Sequence, residues 1–364
     1  MKYLDEFRDP VLAKKLLDQI HATVTQRWMI MEVCGGQTHS LVKNGILDLL
    51  PEEVVMVHGP GCPVCVTPMN LIDQAVQLSL REGVTVCSFG DMVRVPGKEM
   101  SLLEAKAQGG SLKMVYSPLD AVQYAAQDAF EGVVFFAVGF ETTAPANALA
   151  VLQAEKQGLT NFSLLVSHVL VPPAMQAILD DPFNNINAFL AAGHVCTVMG
   201  FRAYYPIAQQ YETPIVVTGF EPVDLLQGIA RAVTMLESKD YTVENQYARV
   251  VLEDGNRAAQ DTIFSVFEVG DREWRGIGTI PESGYVLKET YRSFDAVEKF
   301  GLLNRDTDTQ NGCIAGAIMK GQQKPKDCPH FGKGCTPVNP MGAPMVSSEG
   351  ACAAYYNYAQ PTVV

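Results

Sequence analysis

Two similar stretches decide the fold of this chain. Residues 28–39 read WMIMEVCGGQTH, and residues 54–65 read VVMVHGPGCPVC. Each begins with a short apolar run, which then turns through glycine or proline into a helical pattern, as is typical of strands buried on both faces of a parallel sheet. We therefore expect Cys34, Cys62 and Cys65 to lie at the carboxyl ends of neighbouring strands, the edge where open α/β sheets bind ligands.

The alternation of strand and helix continues along the first two thirds of the chain. Strand-like apolar runs occur at 28–33, 54–57, 84–87 and 112–116, and again near 133–138, 162–166, 189–192 and 214–218. Helical patterns separate them. Such a series forms parallel sheets covered by helices on both faces. The sequence therefore predicts an α/β fold, with a helical run over 244–268 after the last strand.

Composition excludes several classes of protein. The 364 residues are 48% apolar and carry a net charge of −13, and an acidic chain repels the phosphates of nucleic acids. The first residues are charged and form no apolar signal segment, and the apolar runs are too short to span a bilayer. We expect a cytoplasmic protein without a nucleic-acid or membrane partner.

Cysteine usage points to metal or thiol chemistry. The chain has nine cysteines, an odd number that does not suit a disulfide framework in a cytosolic protein. The last four follow the pattern C-x14-C-x6-C-x16-C and are Cys313, Cys328, Cys335 and Cys352. Four thiolates hold a zinc ion or an iron–sulfur cluster. The wide spacing and adjacent prolines favour a cluster, and zinc or free structural thiols remain alternatives.

The earlier cysteines offer redox and metal-binding chemistry. Cys62 and Cys65 form a C-x-x-C pair, which can cycle between dithiol and disulfide. The alternative is half of a zinc site, completed by Cys34 and either His39 or His58. Cys34 itself is a candidate nucleophile or soft metal ligand, because two glycines follow it and His39 comes near the start of the next helix. The alternative for Cys34 is that it is only a small hydrophobic residue buried in the core. His194 follows another strand and is a plausible residue of the same cleft.

Several longer motifs together resemble one known family along the whole chain. They are EVCGG with TH at 32–39, HGPGCPVC at 58–65, FGD with RVPG at 89–97, GFETT at 139–143, GHV at 193–195, GFEP at 219–222, ENQY at 244–247, EWRG at 273–276 and MVSSEGAC at 345–352. This set is similar to that of the HypD family of hydrogenase maturation factors. The resemblance implies three α/β domains, two of them Rossmann-like parallel sheets and one smaller C-terminal domain carrying iron and sulfur.

The resemblance also implies cofactors and partners. Proteins of this family help to assemble the Fe(CN)2CO group of [NiFe]-hydrogenases, a transient cargo, with a small HypC-like chaperone and a HypE-like cyanide donor. Carried over residue by residue, the four late cysteines Cys313, Cys328, Cys335 and Cys352 would ligate a [4Fe-4S] cluster. Cys34 would be the thiolate that shares the iron, with His39 close to it, and Cys62 with Cys65 would be the redox-active pair.

On this basis we expect a redox-active scaffold for cofactor assembly rather than a conventional turnover enzyme. Glu141, Thr142 and His194 are placed in the cleft as polar contacts to cyanide or to the partner. The expected segments are an N-terminal helix (1–25) on the C-terminal domain, two α/β domains (26–118 and 119–243) and an iron–sulfur domain (244–364). The competing functions are a thioredoxin-like dithiol oxidoreductase with an iron–sulfur cluster and a zinc-stabilised binding module.

Overall fold

The computed structural model describes residues 5–127, 129–303 and 312–359. Strands form two parallel sheets and one antiparallel hairpin. The strands are β1 Trp28–Glu32, β2 Val54–His58, β3 Val84–Ser88, β4 Leu112–Met114, β5 Gly132–Gly139, β6 Phe162–His168, β7 Ala188–Ala192, β8 Ile215–Thr218, β9 Val243–Asn245, β10 Phe267–Trp274 and β11 Gly278–Leu287. The predicted α/β class with parallel sheets is confirmed.

Helices connect the strands and cover the sheets. They are α1 Pro10–Thr23, α2 Gly35–Lys43, α3 Pro63–Val66, α4 Met69–Ser79, α5 Leu102–Ala107, α6 Pro118–Ala126, α7 Ala144–Lys156, α8 Val171–Leu179, α9 Gly193–Met199, α10 Tyr204–Gln210, α11 Pro222–Ser238, α12 Arg257–Val266, α13 Ala296–Phe300, α14 Ala315–Met319 and α15 Ala351–Tyr358. Short 3-10 turns occur at Asp5–Arg8, Ile46–Asp48, Met92–Arg94, Glu289–Phe294, Pro325–Asp327 and Ala343–Met345. Many helices begin with proline in the first turn, where its missing N–H leaves no bond unmade.

The strand order of each sheet reverses beside its first strand. The first sheet has the order β2-β1-β7-β8-β9, so that Ile30 lies between Met56 of β2 and Ala188 of β7. The second sheet has the order β4-β3-β5-β6. In each sheet the second strand pairs on one side of the first strand (β2 beside β1, β4 beside β3), and the next strand to join pairs on its other side (β7 beside β1, β5 beside β3). Ligands of α/β proteins bind at such reversal points, outside the carboxyl ends of the strands.

The predicted boundaries of the first two domains do not follow the sheets. The first sheet takes β1 and β2 from the range 26–118 and β7 to β9 from later in the chain, and the second sheet takes β3 and β4 from 26–118 and β5 and β6 from 119–243. The physical reason is that strands pair by burial of their apolar faces, which the periodicity of a segment does not specify. The chain enters the second sheet after β2 and returns to the first at β7.

The N-terminal helix α1 packs mainly on the helical layer of the first sheet. The prediction that it packs on the C-terminal domain was wrong. The buried side chains of α1, Leu16 and Ile20, belong to one apolar cluster with Leu225, Ile229 and Val233 of α11. Helix α11 follows β8 and covers one face of the first sheet.

The predicted helical run over 244–268 is a helix only in α12: the end of β9 and a turn-rich segment precede it, and an antiparallel hairpin begins at Phe267. Strands β10 and β11 pair antiparallel from Phe267 opposite Leu287 to Trp274 opposite Gly278. The indole of Trp274 is buried and donates to Ser283 Oγ at 2.9 Å. Only Phe267 and Trp274, at the two ends of β10, are buried, and the pairing of this strand with β11 decides the local structure over helix propensity. Among the described residues, no helix is long and apolar enough to cross a membrane.

Candidate functional site

Cys34 and His194 meet at the point where the order of the first sheet reverses. Cys34 directly precedes α2 after β1, and His194 is in the first turn of α9 after β7. The Sγ of Cys34 lies 3.6 Å from Nδ1 of His194 and 4.0 Å from Nε2. Burial raises the pKa of the Cys34 thiol and lowers the pKa of His194 to about 4. A neutral imidazole therefore lies beside a protonated thiol at neutral pH.

The loop before the C-x-x-C pair packs on the backbone of Cys34. Gly35 N donates to Gly61 O at 2.9 Å, and Gly59 N donates to Glu32 O at 2.8 Å. A Cβ added to Gly61 would lie 2.2 Å from the backbone nitrogen of Cys34, so that only glycine fits. The two motifs identified in the sequence are therefore in direct backbone contact.

The buried carboxyl group of Glu32 forms hydrogen bonds that hold the Cys34 loop in place. Glu32 is fully buried; its Oε2 accepts from Cys34 N at 2.9 Å, and its Oε1 is bonded to the Thr38 hydroxyl and lies 2.7 Å from His58 Nδ1. The Nε2 of His58 lies 3.0 Å from the Tyr355 hydroxyl. Burial raises the pKa of Glu32, and the bond to His58 opposes that rise. The chain of contacts links the Cys34 loop to helix α15.

Cys62 and Cys65 form a disulfide in the structure. Cys62 directly precedes the short helix α3, its Cα lies 5.2 Å from that of Cys65, and both residues are buried. Just beyond, the hydroxyls of Thr67 and Ser167 are 3.3 Å apart, which joins this turn to the end of β6 in the second sheet. The pair therefore lies between the edges of the two sheets.

The four late cysteines line one small pocket. Its walls are apolar, and the lining residues include Cys313, Cys328, Cys335, Cys352, Ile318, Phe331 and Met345. Burial raises the pKa of the Cys352 thiol, and the other three sulfur atoms are close enough to raise it further. Among the described residues, no group of three or more His, Cys, Asp or Glu side chains is arranged to hold a single metal ion.

Two residues connect the surroundings of the four-cysteine pocket with those of the disulfide. Ile318 and Pro344 line the four-cysteine pocket and also a second small cavity, which Cys62 and Cys65 line as well. The segment after Pro344 contacts the second sheet, because Ser347 Oγ donates to Asp91 Oδ2 at 2.8 Å after β3. It also contacts helix α2 of the first sheet's layer, because the carbonyl oxygen of Ser348 lies 3.1 Å from His39 Nδ1.

Comparison with known proteins places these residues in a family. Residues 11–359 match the family model HypD, described as the "Hydrogenase formation hypA family". The chain belongs to the HypD family of hydrogenase maturation factors. It is 47% identical to "Hydrogenase maturation factor HypD" of Rhodobacter capsulatus over 370 residues, which cover 98% of each chain. It is 45% identical to the proteins of the same name from Azotobacter vinelandii (98% of this chain and 97% of the relative) and from Escherichia coli strain K12 (99% of each).

The structure brings some of the predicted site residues together and not others. Cys34 and His194 are in contact, as described above. His39 lies on another side of α2, where its Nδ1 is 3.1 Å from the carbonyl oxygen of Ser348 and its ring stands edge-on to Tyr358 at 5.1 Å. Its contacts are with the C-terminal segment rather than with the thiol of Cys34, because a residue five positions on has turned past the face on which Cys34 lies.

Glu141 and Thr142 follow β5 at the reversal point of the second sheet. Glu141 is buried; Val171 N donates to its Oε1 at 3.0 Å, while its Oε2 has no hydrogen-bond partner among the described residues. Burial raises the pKa of Glu141 to about 7. Thr142 is partly exposed in the turn before α7. The predicted contacts of these two residues with cyanide or a partner stay predictions.

Sequence reasoning missed several residues of the site. Tyr355 carried no signal beyond its place in a helix, and Glu32 begins the EVCGG motif but was not recognised as a site residue. Both contact His58, which is distant from each of them in the chain. Phe220 belongs to the GFEP motif, but nothing local indicated that its ring lies 5.1 Å from the ring of His194.

Proposed function

We propose that this HypD-family chain is the scaffold on which the Fe(CN)2CO group of a [NiFe]-hydrogenase is assembled. It would act with a small HypC-like partner and accept cyanide from a HypE-like donor. The observation that supports this proposal is the thiol of Cys34 at the reversal point of a parallel sheet, 3.6 Å from His194 and packed against the C-x-x-C loop. A soft thiol donor (Cys34), a second donor (His194) and the Cys62–Cys65 redox pair are then close together at this edge of the sheet.

Cys34 is the proposed ligand of the iron substrate. Thiolate is a soft donor and suits an iron that carries cyanide and carbon monoxide. Burial raises the pKa of this thiol, so iron binding has to displace its proton. The lowered pKa keeps His194 neutral, and a neutral imidazole nitrogen is free to accept a hydrogen bond from the thiol.

The Cys62–Cys65 pair is the proposed electron source for cyanide release. Cyanide bound to a partner as R–S–C≡N leaves when the S–C bond is cleaved with two electrons. The dithiol supplies both electrons and two protons, so that R–S–C≡N and the dithiol give R–SH, HCN and the Cys62–Cys65 disulfide. The pair is a disulfide in the structure, which is the oxidation state that this step would leave.

Cys313, Cys328, Cys335 and Cys352 fit a [4Fe-4S] cluster by the chemistry of their donors. Four thiols line one pocket with apolar walls, and thiolates in such surroundings hold these clusters. When bound, the cluster supplies one electron at a time. The apolar side chains of Ile318 and Pro344 line both this pocket and the cavity beside the disulfide.

The thioredoxin-like alternative is less well supported by the surroundings of the pair. Only 4% of Cys62 and 2% of Cys65 is exposed. A dithiol that reduces disulfides of many proteins has to be reached by them, and a buried pair serves a substrate that is brought to it by a dedicated partner.

Infrared spectroscopy tests the scaffold proposal. The protein is purified anaerobically after co-expression with its small partner, and bands of cyanide and carbon monoxide on iron are expected. They should be absent from Cys34→Ala and present in Cys87→Ala, since Cys87 is buried within β3. Bands of equal strength in both variants would contradict the role of Cys34. A brown protein without bands that reduces insulin disulfides at thioredoxin-like rates would support the alternative.

A further inference from the structure

The ring of Phe220 lies beside His194 and Gly36, the two residues that flank the thiol of Cys34. The ring centroids of His194 and Phe220 are 5.1 Å apart, at an angle of 34°. A Cβ added to Gly36 would lie 3.3 Å from Cδ1 of Phe220 and 3.7 Å from Sγ of Cys34. Cys34 is only 2% exposed, whereas these three neighbours are partly exposed. On this side the buried sulfur is therefore flanked by residues that themselves reach the surface.

Tyr247 holds the two rings in place from behind. A Cβ added to Gly193, just before His194, would lie 2.6 Å from the Tyr247 ring, and one added to Gly219, just before Phe220, would also lie 2.6 Å from it. The Phe220 and Tyr247 rings meet edge to face, with centroids 6.2 Å apart. The added atom at Gly193 would also lie 2.5 Å from Thr218 O, and that at Gly219 2.4 Å from Asp224 Oδ2, so the Tyr247 ring and these neighbours together leave room only for glycine.

An ion pair fixes Tyr247 in turn. The guanidinium of Arg249 lies 4.4 Å from the centroid of the Tyr247 ring and forms two hydrogen bonds of 2.7 Å to the buried carboxylate of Asp224. Asp224 lies in the first turn of α11, directly after the GFEP motif. Side chains from the motifs GHV, GFEP and ENQY therefore pack together beside Cys34. The proposed chemistry does not use these motifs directly.

We propose that Phe220 is a positioning residue that controls access to the Cys34 thiol, so that the iron substrate reaches the sulfur through the opening between Gly36, His194 and Phe220. The iron part of this inference rests on the proposed function, whereas control of access to the sulfur does not. The ring closes an apolar surface over the thiol when the site is empty. Movement of one side chain, without unfolding of the sheet, is enough to open it.

Alkylation of Cys34 measures this access directly. The full-length protein is treated anaerobically with iodoacetamide or with its bulkier N-phenyl analogue, and modification of each cysteine is followed by peptide mapping. Cys87 and Cys196 are 0% exposed and serve as internal references for general loosening. Both reagents attack the same thiolate, so the ratio of their rates at Cys34 reports the size of the opening and not the pKa of the thiol.

Removal of the ring should open the site and filling of the gap should close it. Phe220→Ala is expected to raise the rate of alkylation of Cys34 about tenfold, which is the change in an equilibrium constant when one favourable aromatic contact is lost. It should also bring the alkylation rates of the two reagents closer together. Phe220→Leu, which retains much of the apolar volume, should lie between Phe220→Ala and the wild type. Gly36→Ala should slow the bulkier reagent most. Phe183→Ala, at an exposed ring, is the matched control and should leave the rates unchanged.

Two results would overturn the inference. One is a Cys34 rate and reagent ratio in Phe220→Ala and Gly36→Ala that equal those of the wild type. The other is an equal acceleration at Cys34, Cys87 and Cys196, which would show that the variant loosens the fold. If access changes as expected but the infrared bands of iron-bound cyanide never appear in the wild type, the access role of Phe220 stands and the proposed function fails.

Discussion

Replacement of Glu141 by glutamine should change how the stability of this protein depends on pH. The side chain is 2% exposed, Val171 N donates to its Oε1, and burial raises its pKa from 4.5 to about 7. The folded chain therefore holds this proton more tightly than the unfolded chain does. As a result, the free energy of unfolding falls as the pH rises above 4.5, and this loss levels off above about pH 7.

The size of the effect follows from the raised pKa. A change from 4.5 to about 7 corresponds to about 3 kcal/mol of stability lost by the wild type at pH 8, and to less than about 1 kcal/mol at pH 5. Glutamine has the shape of the protonated acid and keeps an oxygen for Val171 N. Glu141→Gln is therefore expected to be more stable than the wild type at pH 8 by up to this amount, with little difference at pH 5.

Urea denaturation at several pH values, under anaerobic conditions, measures this difference. The fluorescence of Trp274 is a local reporter, because its ring lies 6.1 Å from that of Phe140. Buried histidines such as His168, whose pKa is lowered to about 3, give the opposite slope below pH 6.5, so only the difference between variant and wild type is interpreted. Glu268→Gln, at an exposed glutamate, is the control. A difference that does not grow with pH would refute the burial argument.

Two further substitutions test the packing around Cys34. Gly61→Ala would place a methyl group 2.2 Å from the backbone nitrogen of Cys34, so we expect a loss of about 3 kcal/mol or more in urea denaturation, and the reasoning fails if alanine is tolerated within about 0.5 kcal/mol. Tyr355→Phe removes only the hydroxyl that pairs with His58 Nε2, with an expected loss of about 1 kcal/mol and unchanged far-UV circular dichroism. An unchanged stability of Tyr355→Phe would show that this contact adds nothing to the link between the Cys34 loop and α15.

Much of the site could be located from the sequence because its signals are local. A short apolar run followed by CGG or GPGCPVC specifies a buried strand and the turn after it, and the end of a parallel strand is where a ligand can approach the backbone. The convergence of four distant cysteines was also foreseeable, because a loop-rich segment needs something to hold it. The lining of one pocket by all four agrees with that expectation.

The neighbours of Cys34 were decided by the tertiary structure alone. His39 is close in the chain but faces Ser348, whereas His194, 160 positions away, lies beside the sulfur. The reason is the return of the chain: β7 pairs with β1 after an excursion through the whole second sheet. No property of the segment before β7 specifies that pairing.

The sequence by itself determined the class of the fold, the family and the edge of the sheet on which chemistry takes place, because alternating strands, helices and turn motifs are properties of short segments. Only the tertiary structure decided which strands share a sheet, that Glu32 and Tyr355 connect through His58, and that the ring of Phe220 lies beside that of His194. These contacts join residues far apart in the chain. They depend on how apolar faces and buried polar groups satisfy each other in three dimensions, which the local pattern of a sequence does not encode.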